Sequence, residues 1–122
     1  MRIDVGGGVR LFVDVDGVEY EVAGDRMVRR PTVVLLHGGP GMDHSPFKNE
    51  LRALTDMAQC VFIDHRANGR SDDGPLGSRT LDQWGDDVRT VCDVLGVERP
   101  IVLGQSFGGM VAMSYVTRHP DH

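Results

Sequence analysis

Apolar residues run along this chain in two rhythms. Residues 9 to 15 (Val-Arg-Leu-Phe-Val-Asp-Val) and 18 to 23 (Val-Glu-Tyr-Glu-Val-Ala) alternate or cluster β-forming residues on either side of Asp16-Gly17, a strong hairpin turn signal. They predict two antiparallel strands joined at that turn. The alternation then gives way to continuous apolar runs: Thr32-Val33-Val34-Leu35-Leu36, Cys60-Val61-Phe62-Ile63 and Ile101-Val102-Leu103. Unbroken runs of this kind suit strands covered on both faces, as in a parallel sheet.

Helical spacing separates those runs. Ser45-Pro46 predicts a helix start, with Ser45 as N-cap, proline in the first turn, and Phe47, Leu51, Leu54 and Ala58 on one face. Leu81, Trp84, Val88, Val91, Cys92 and Leu95 predict a second helix, capped by Thr80 and stopped by Gly96. A third is expected from about Phe107 to His119, ending at Pro120, with Met110 and Met113 in its packed face. The order β-β-β-α-β-α-β-α, a hairpin leading into right-handed crossovers, predicts an α/β layered sheet. No repeat, low-complexity tract or linker divides the chain, so residues 1–122 are expected to form a single domain.

Composition narrows the classes. The 122 residues hold 13 Lys+Arg against 18 Asp+Glu, a formal net charge of −5, with 40% hydrophobic residues. An acidic balance argues against a nucleic-acid or anionic-membrane binder, which needs a basic face to neutralise phosphates. No apolar stretch approaches a membrane span, and Met1–Val5 followed by three glycines lacks the core of a secretion signal. A cytoplasmic protein is expected. Cys60 and Cys92 lie in apolar surroundings and read as buried, reduced thiols rather than a disulfide or a zinc site. Neither metal nor cofactor is called for.

The chemistry concentrates at two glycine-rich turns. Gly104-Gln105-Ser106-Phe107-Gly108 has the Gly-x-Ser-x-Gly pattern, with an apolar strand before it and an apolar helix after it. A serine at a tight strand-to-helix turn projects its hydroxyl above the sheet, and small residues at 104 and 108 avoid clashes there. The following helix aims free N–H groups and its positive end at the same spot, where a developing oxyanion is stabilised. His37-Gly38-Gly39-Pro40-Gly41 directly follows the 32–36 run, at the carboxyl edge where open α/β sheets bind ligands. Ser106 is therefore the candidate nucleophile, and the Gly39 and Phe107 N–H groups the candidate oxyanion hole. His37, Gly38, Pro40, Gly41, Gly104, Gln105 and Gly108 are expected to support them.

These two motifs, together with Asp64-His65-Arg66-Ala67-Asn68-Gly69-Arg70-Ser71, resemble the N-terminal half of an α/β-hydrolase, specifically the proline iminopeptidase group. The resemblance runs from about residue 10 to 121. It implies a serine hydrolase that cleaves an amide or ester bond of a small molecule or short peptide through an acyl-enzyme. It also implies a partial, mostly parallel sheet with an N-terminal antiparallel hairpin. That group usually carries Gly-Gly-Ser-Trp-Gly at the serine turn and Asp-Gln-Arg-Gly-x-Gly-Arg-Ser in the middle segment. This chain has Gln105, Phe107, His65 and Ala67 instead. Aminopeptidase specificity does not follow from such a match, and carboxylesterases and other acyl hydrolases of the fold stay open.

A serine needs a general base, which in this fold follows it in the order Ser, Asp or Glu, His. Of the residues after Ser106, His119 lies about 18 Å away along a helix rising 1.5 Å per residue, and no triad partner is expected in this chain. A histidine in the place of His37 is usually structural in the resembling proteins. His44 and His65 read as loop residues, Asp64 and Arg66 as a turn-stabilising pair, and Asp86 and Asp87 as a solvated helix face. Such a chain is expected to be inactive alone. Its open sheet edge would be covered by a complementary C-terminal chain or a second copy. A non-catalytic module that acts only by pairing that edge is the alternative of a different class.

Overall fold

The computed structural model describes residues 1–122. Seven strands and three helices follow in order: β1 (Arg2–Asp4), β2 (Arg10–Asp16), β3 (Tyr20–Ala23), β4 (Arg26–Arg29), β5 (Thr32–Leu36), α1 (Ser45–Glu50), β6 (Gln59–Ile63), α2 (Leu81–Leu95), β7 (Ile101–Gly104) and α3 (Phe107–Arg118). Five strands make one sheet in the order β1-β2-β6-β5-β7, and β3 and β4 form a separate ribbon. β5 pairs parallel with both β6 and β7, and β2 joins β6 antiparallel. The expected α/β architecture stands.

The continuous apolar runs explain the layering. Side chains alternate across a strand, so β5 sends Val34 and Leu36 to one face and Val33 and Leu35 to the other. The first face packs under α2 and α3, with Val88, Val91, Val111 and Tyr115. The second is covered by Phe47 from α1 and by Ala58, with Leu51 and Leu54 packed against them, although the expected single helix stops at Glu50 and a 3-10 turn follows over Arg52–Asp56. Cys60 and Cys92 are free thiols buried on opposite faces, and burial pushes the Cys92 thiol up to about 12.

Four further expectations need correction. The N-terminal antiparallel hairpin exists, but it joins β1 to β2, while β3 pairs with β4 rather than with β2. The 2–4 strand was missed because only three residues carry its pattern. Ser45 does not cap α1: His44 occupies that position without a side-chain bond, and the Ser45 N–H instead donates to Asp43 Oδ1 at 2.8 Å. Met110 and Met113 are exposed, since α3 turns Val111 and Tyr115 inward. Asp87, expected on a solvated face, is buried. The α2 signals hold: Thr80 accepts from the Gln83 N–H at 3.2 Å, and Gly96 closes the helix at φ 67°. No helix is long and apolar enough to cross a membrane.

Candidate functional site

The two glycine-rich turns leave the sheet side by side, because β5 and β7 are neighbours in register from Val33↔Ile101 to Leu36↔Gly104. The Gln105 N–H donates to the Leu36 carbonyl at 3.1 Å, extending the ladder one step into the turn. Ser106 follows at φ 52°, ψ −115°, a conformation that non-glycine residues adopt only when their surroundings impose it. The surroundings here are backbone. A Cβ on Gly108 would lie 2.0 Å from the Leu36 carbonyl oxygen, and one on Gly104 would lie 2.2 Å from the Gly108 carbonyl oxygen. The strand, the turn and the first turn of α3 are pressed together where only glycine fits, and Ser106 takes the strained corner.

The Ser106 hydroxyl has no hydrogen-bond partner in the chain and does not cap α3. Space for a Cβ on Gly38 runs up against Ser106 Cβ at 3.6 Å, so the oxyanion-loop candidate touches the serine turn directly. The N–H groups of Gly39 and Phe107 have no intramolecular acceptor. Gly41 N–H is engaged, donating to Asn68 Oδ1 at 2.5 Å. Thus the Gly38 backbone meets the Gln105-Ser106 turn, with an unpartnered hydroxyl on Ser106 and unpartnered N–H groups on Phe107 and on Gly39, the residue after Gly38. Pro40 and Gly41 continue that loop on its exposed side.

Two buried histidines lie behind this corner. The His65 N–H donates to His37 Nε2 at 3.2 Å, so His37 carries its proton on Nδ1 and donates it to the Gly38 carbonyl at 2.6 Å. His65 Nε2 lies 3.2 Å from the His37 carbonyl and donates to it. Burial holds both rings neutral: it lowers His37, and with the neighbouring His37 ring it takes His65 down to about 3. With both ring nitrogens committed, His37 is a structural histidine and not a base for Ser106. His119 and His122 are held at the far end of α3, by Asp86 Oδ1 at 2.9 Å and the Val97 carbonyl at 2.9 Å.

The segment after β6 corrects the pairing expected within it. Asp64 and Arg66 are not partners. Buried Asp64 accepts from His44 Nδ1 at 2.7 Å and from the N–H groups of His44 and Arg70. Burial alone would raise this carboxyl, but those bonds outweigh it and hold it well below the usual carboxylate range. His44 is not a free loop residue, since its ring is stacked between Phe12 and Phe62. Arg66 makes a buried bidentate pair with Asp87, at 2.9 and 2.7 Å. Trp84 donates its indole N–H to the Arg66 carbonyl at 3.1 Å, and its ring meets Phe107 edge-on at 4.8 Å. The apolar spacing of α2 gave Trp84 only a core position. Its link to the serine turn is a tertiary contact that no local pattern signals.

The family model for the alpha/beta hydrolase fold matches residues 31–122. The chain belongs to the alpha/beta hydrolase fold family. RutD of Caulobacter sp. (strain K31), named as a putative carbamate hydrolase, is 36% identical over 109 residues, covering 88% of this chain and 40% of that protein. A proline iminopeptidase of Lactiplantibacillus plantarum is 37% identical over 101 residues, 79% of this chain and 34% of the relative. Among solved structures, a proline iminopeptidase-related protein of Thermus thermophilus superposes with a TM-score of 0.84 at 28% identity, over 99% of this chain and 40% of that one. This alpha/beta hydrolase chain thus spans about two fifths of the length of the relatives it matches. The resemblance to the proline iminopeptidase group holds, and RutD widens it.

Proposed function

We propose that this chain supplies the nucleophile and oxyanion hole of a serine hydrolase that cleaves an amide or ester bond through an acyl-enzyme on Ser106. The observation that carries the proposal is the strained Ser106 corner, with an unpartnered hydroxyl, an unpartnered Phe107 N–H next in sequence, and the Gly38-Gly39 loop, whose Gly39 N–H is also unpartnered, packed against the turn through Gly38. The Ser106 oxygen attacks the substrate carbonyl, and the Gly39 and Phe107 N–H groups stabilise the oxyanion that forms. The amine or alcohol leaves with a proton, and water then releases the acid and regenerates Ser106.

A proline iminopeptidase-like aminopeptidase acting on short peptides is the first reading of substrate class, supported by the proline iminopeptidase relatives. Carbamate or ester hydrolysis is the second, supported by RutD and by an esterase among the structural neighbours. All five histidines are bonded to partners other than Ser106. We therefore assign the general base and its carboxylate to polypeptide outside residues 1–122, which form one domain, the N-terminal part of the hydrolase core. That polypeptide, or a second copy, covers β7, where Ile101 and Leu103 are exposed at the sheet edge. Two free buried thiols favour a reducing, cytoplasmic setting.

A fluorophosphonate probe applied to the complete protein, with peptide mass spectrometry, tests this reading. Modification of Ser106 that disappears in Ser106→Ala is expected. Absence of modification beside a competent control hydrolase overturns it. Activity of residues 1–122 alone, abolished by Ser106→Ala, would overturn the assignment of the base elsewhere.

A further inference from the structure

The two candidate oxyanion donors sit on different elements, Gly39 in the loop after β5 and Phe107 at the start of α3, so some group must fix their separation. β6 lies on the opposite side of β5 from β7. His65, just past the end of β6, reaches across that gap. It holds the β5 loop twice, through its N–H to His37 Nε2 and its Nε2 to the His37 carbonyl, both at 3.2 Å. Its ring also stands edge-on to the Phe107 ring, with centroids 5.5 Å apart at 86°. Trp84 closes on Phe107 from a second direction, itself at 89°. The His65 ring is buried, and so is the His37 ring it meets at 4.4 Å.

We infer that His65 is a positioning residue, which couples the loop carrying Gly39 to Phe107 and so sets the spacing of the two oxyanion donors. The inference rests on the serine hydrolase reading for its consequence, but its geometry is independent of that reading. His65 touches no reacting atom. It acts as a strut with polar contacts on one loop and an aromatic contact on the other. Leucine at this position would keep bulk against Phe107 and lose the ring's bond to the His37 carbonyl. Glutamine would restore a donor to that carbonyl, and the backbone N–H bond remains in either variant.

The test compares wild type, His65→Leu and His65→Gln in the complete protein by two readouts. The first is the second-order rate of Ser106 modification by a fluorophosphonate, whose phosphoryl oxygen occupies the oxyanion hole. Misplacing a donor by a fraction of an ångström is expected to slow His65→Leu by about tenfold to a hundredfold, with at least partial recovery in His65→Gln. The second is the amide resonances of Gly39 and Phe107 in ¹⁵N-labelled protein, which should shift together in His65→Leu and return towards wild type in His65→Gln. Equal modification rates, or shifts confined to one of the two amides in a folded variant, overturn the inference. If wild type is not modified at Ser106, the hydrolase reading falls, and the paired amide shifts still decide the coupling. Should His65→Leu fail to fold, the same two readouts on His65→Phe, which keeps a ring and loses the bond, decide it.

Discussion

The corner between β5 and β7 and the segment after β6 are neighbours built on opposite principles. At the first, backbone presses on backbone: Gly104 and Gly108 leave no room for side chains, and Ser106, Gly39 and Phe107 keep polar groups without partners. At the second, buried polar groups find partners: Asp64 bonds the buried His44 ring and the exposed Arg70, and Arg66 pairs with Asp87. A group that must meet a ligand has to stay unsatisfied in the free protein, so its rigidity comes from steric fit. A group that only braces the fold is costly unless its hydrogen bonds are complete. His65 joins the two regions.

The sharpest way to break this contrast is Asp87→Ala, which leaves Arg66 buried without its partner. A loss of about 3–5 kcal/mol is expected in urea unfolding, since removing one member of a buried pair strands the other charge. A loss near zero would mean that the segment after β6 is not braced by charge. On the steric side, Gly108→Ala should lose roughly 3 kcal/mol, because its Cβ would meet the Leu36 carbonyl at 2.0 Å. Gly109→Ala, one residue on, meets nothing closer than 3.5 Å and should be neutral or stabilise by up to about 1 kcal/mol. Equal melting temperatures for these two alanine variants would contradict the packing described.

Ser106→Gly should raise stability by about 1 kcal/mol, by relieving the positive φ against the greater freedom of an unfolded glycine. A fall in stability would show that the corner holds no strain. A separate readout distinguishes the regions by pH. His65 titrates at about 3 in the fold against an ordinary 6.5, so below 6.5 the unfolded chain takes up a proton that the folded chain refuses. Stability falls as pH drops through that window. Asp64, held low, contributes stability that is complete above its ordinary 3.8 and is lost only below it. His65→Gln should therefore reduce the slope of the stability profile between pH values of about 6.5 and 4, leaving the part due to the lowered His37 and the acid limb in place.

Local signals carried much of this. The Gly104 to Gly108 pattern between an apolar strand and an apolar helix located the serine turn, because tight turns need particular residues at fixed offsets. The α2 caps at Thr80 and Gly96 were legible for the same reason. The ribbon of β3 and β4 was not, since the Asp16-Gly17 turn signal assigned residues 18–23 to the strand before it, while their true partner lay just beyond in a segment with weak alternation. Asp86 and Asp87 looked alike in sequence, yet Asp86 meets Arg118 and His119 at the surface while Asp87 is buried against Arg66.

The sequence by itself determined what depends on neighbours along the chain: which apolar runs are the central strands, where α2 starts and stops, and that a serine sits at a glycine-flanked turn. Only the tertiary structure decided which strands lie side by side, which histidines are bound and neutral, and that Arg66 is satisfied by Asp87 rather than by Asp64. Periodicity and turn chemistry act over a few residues and leave a local trace. Pairing between β5 and β7, or across His37, His65 and Phe107, is selected by packing among distant segments, where many partners fit the same pattern and the compact fold admits one.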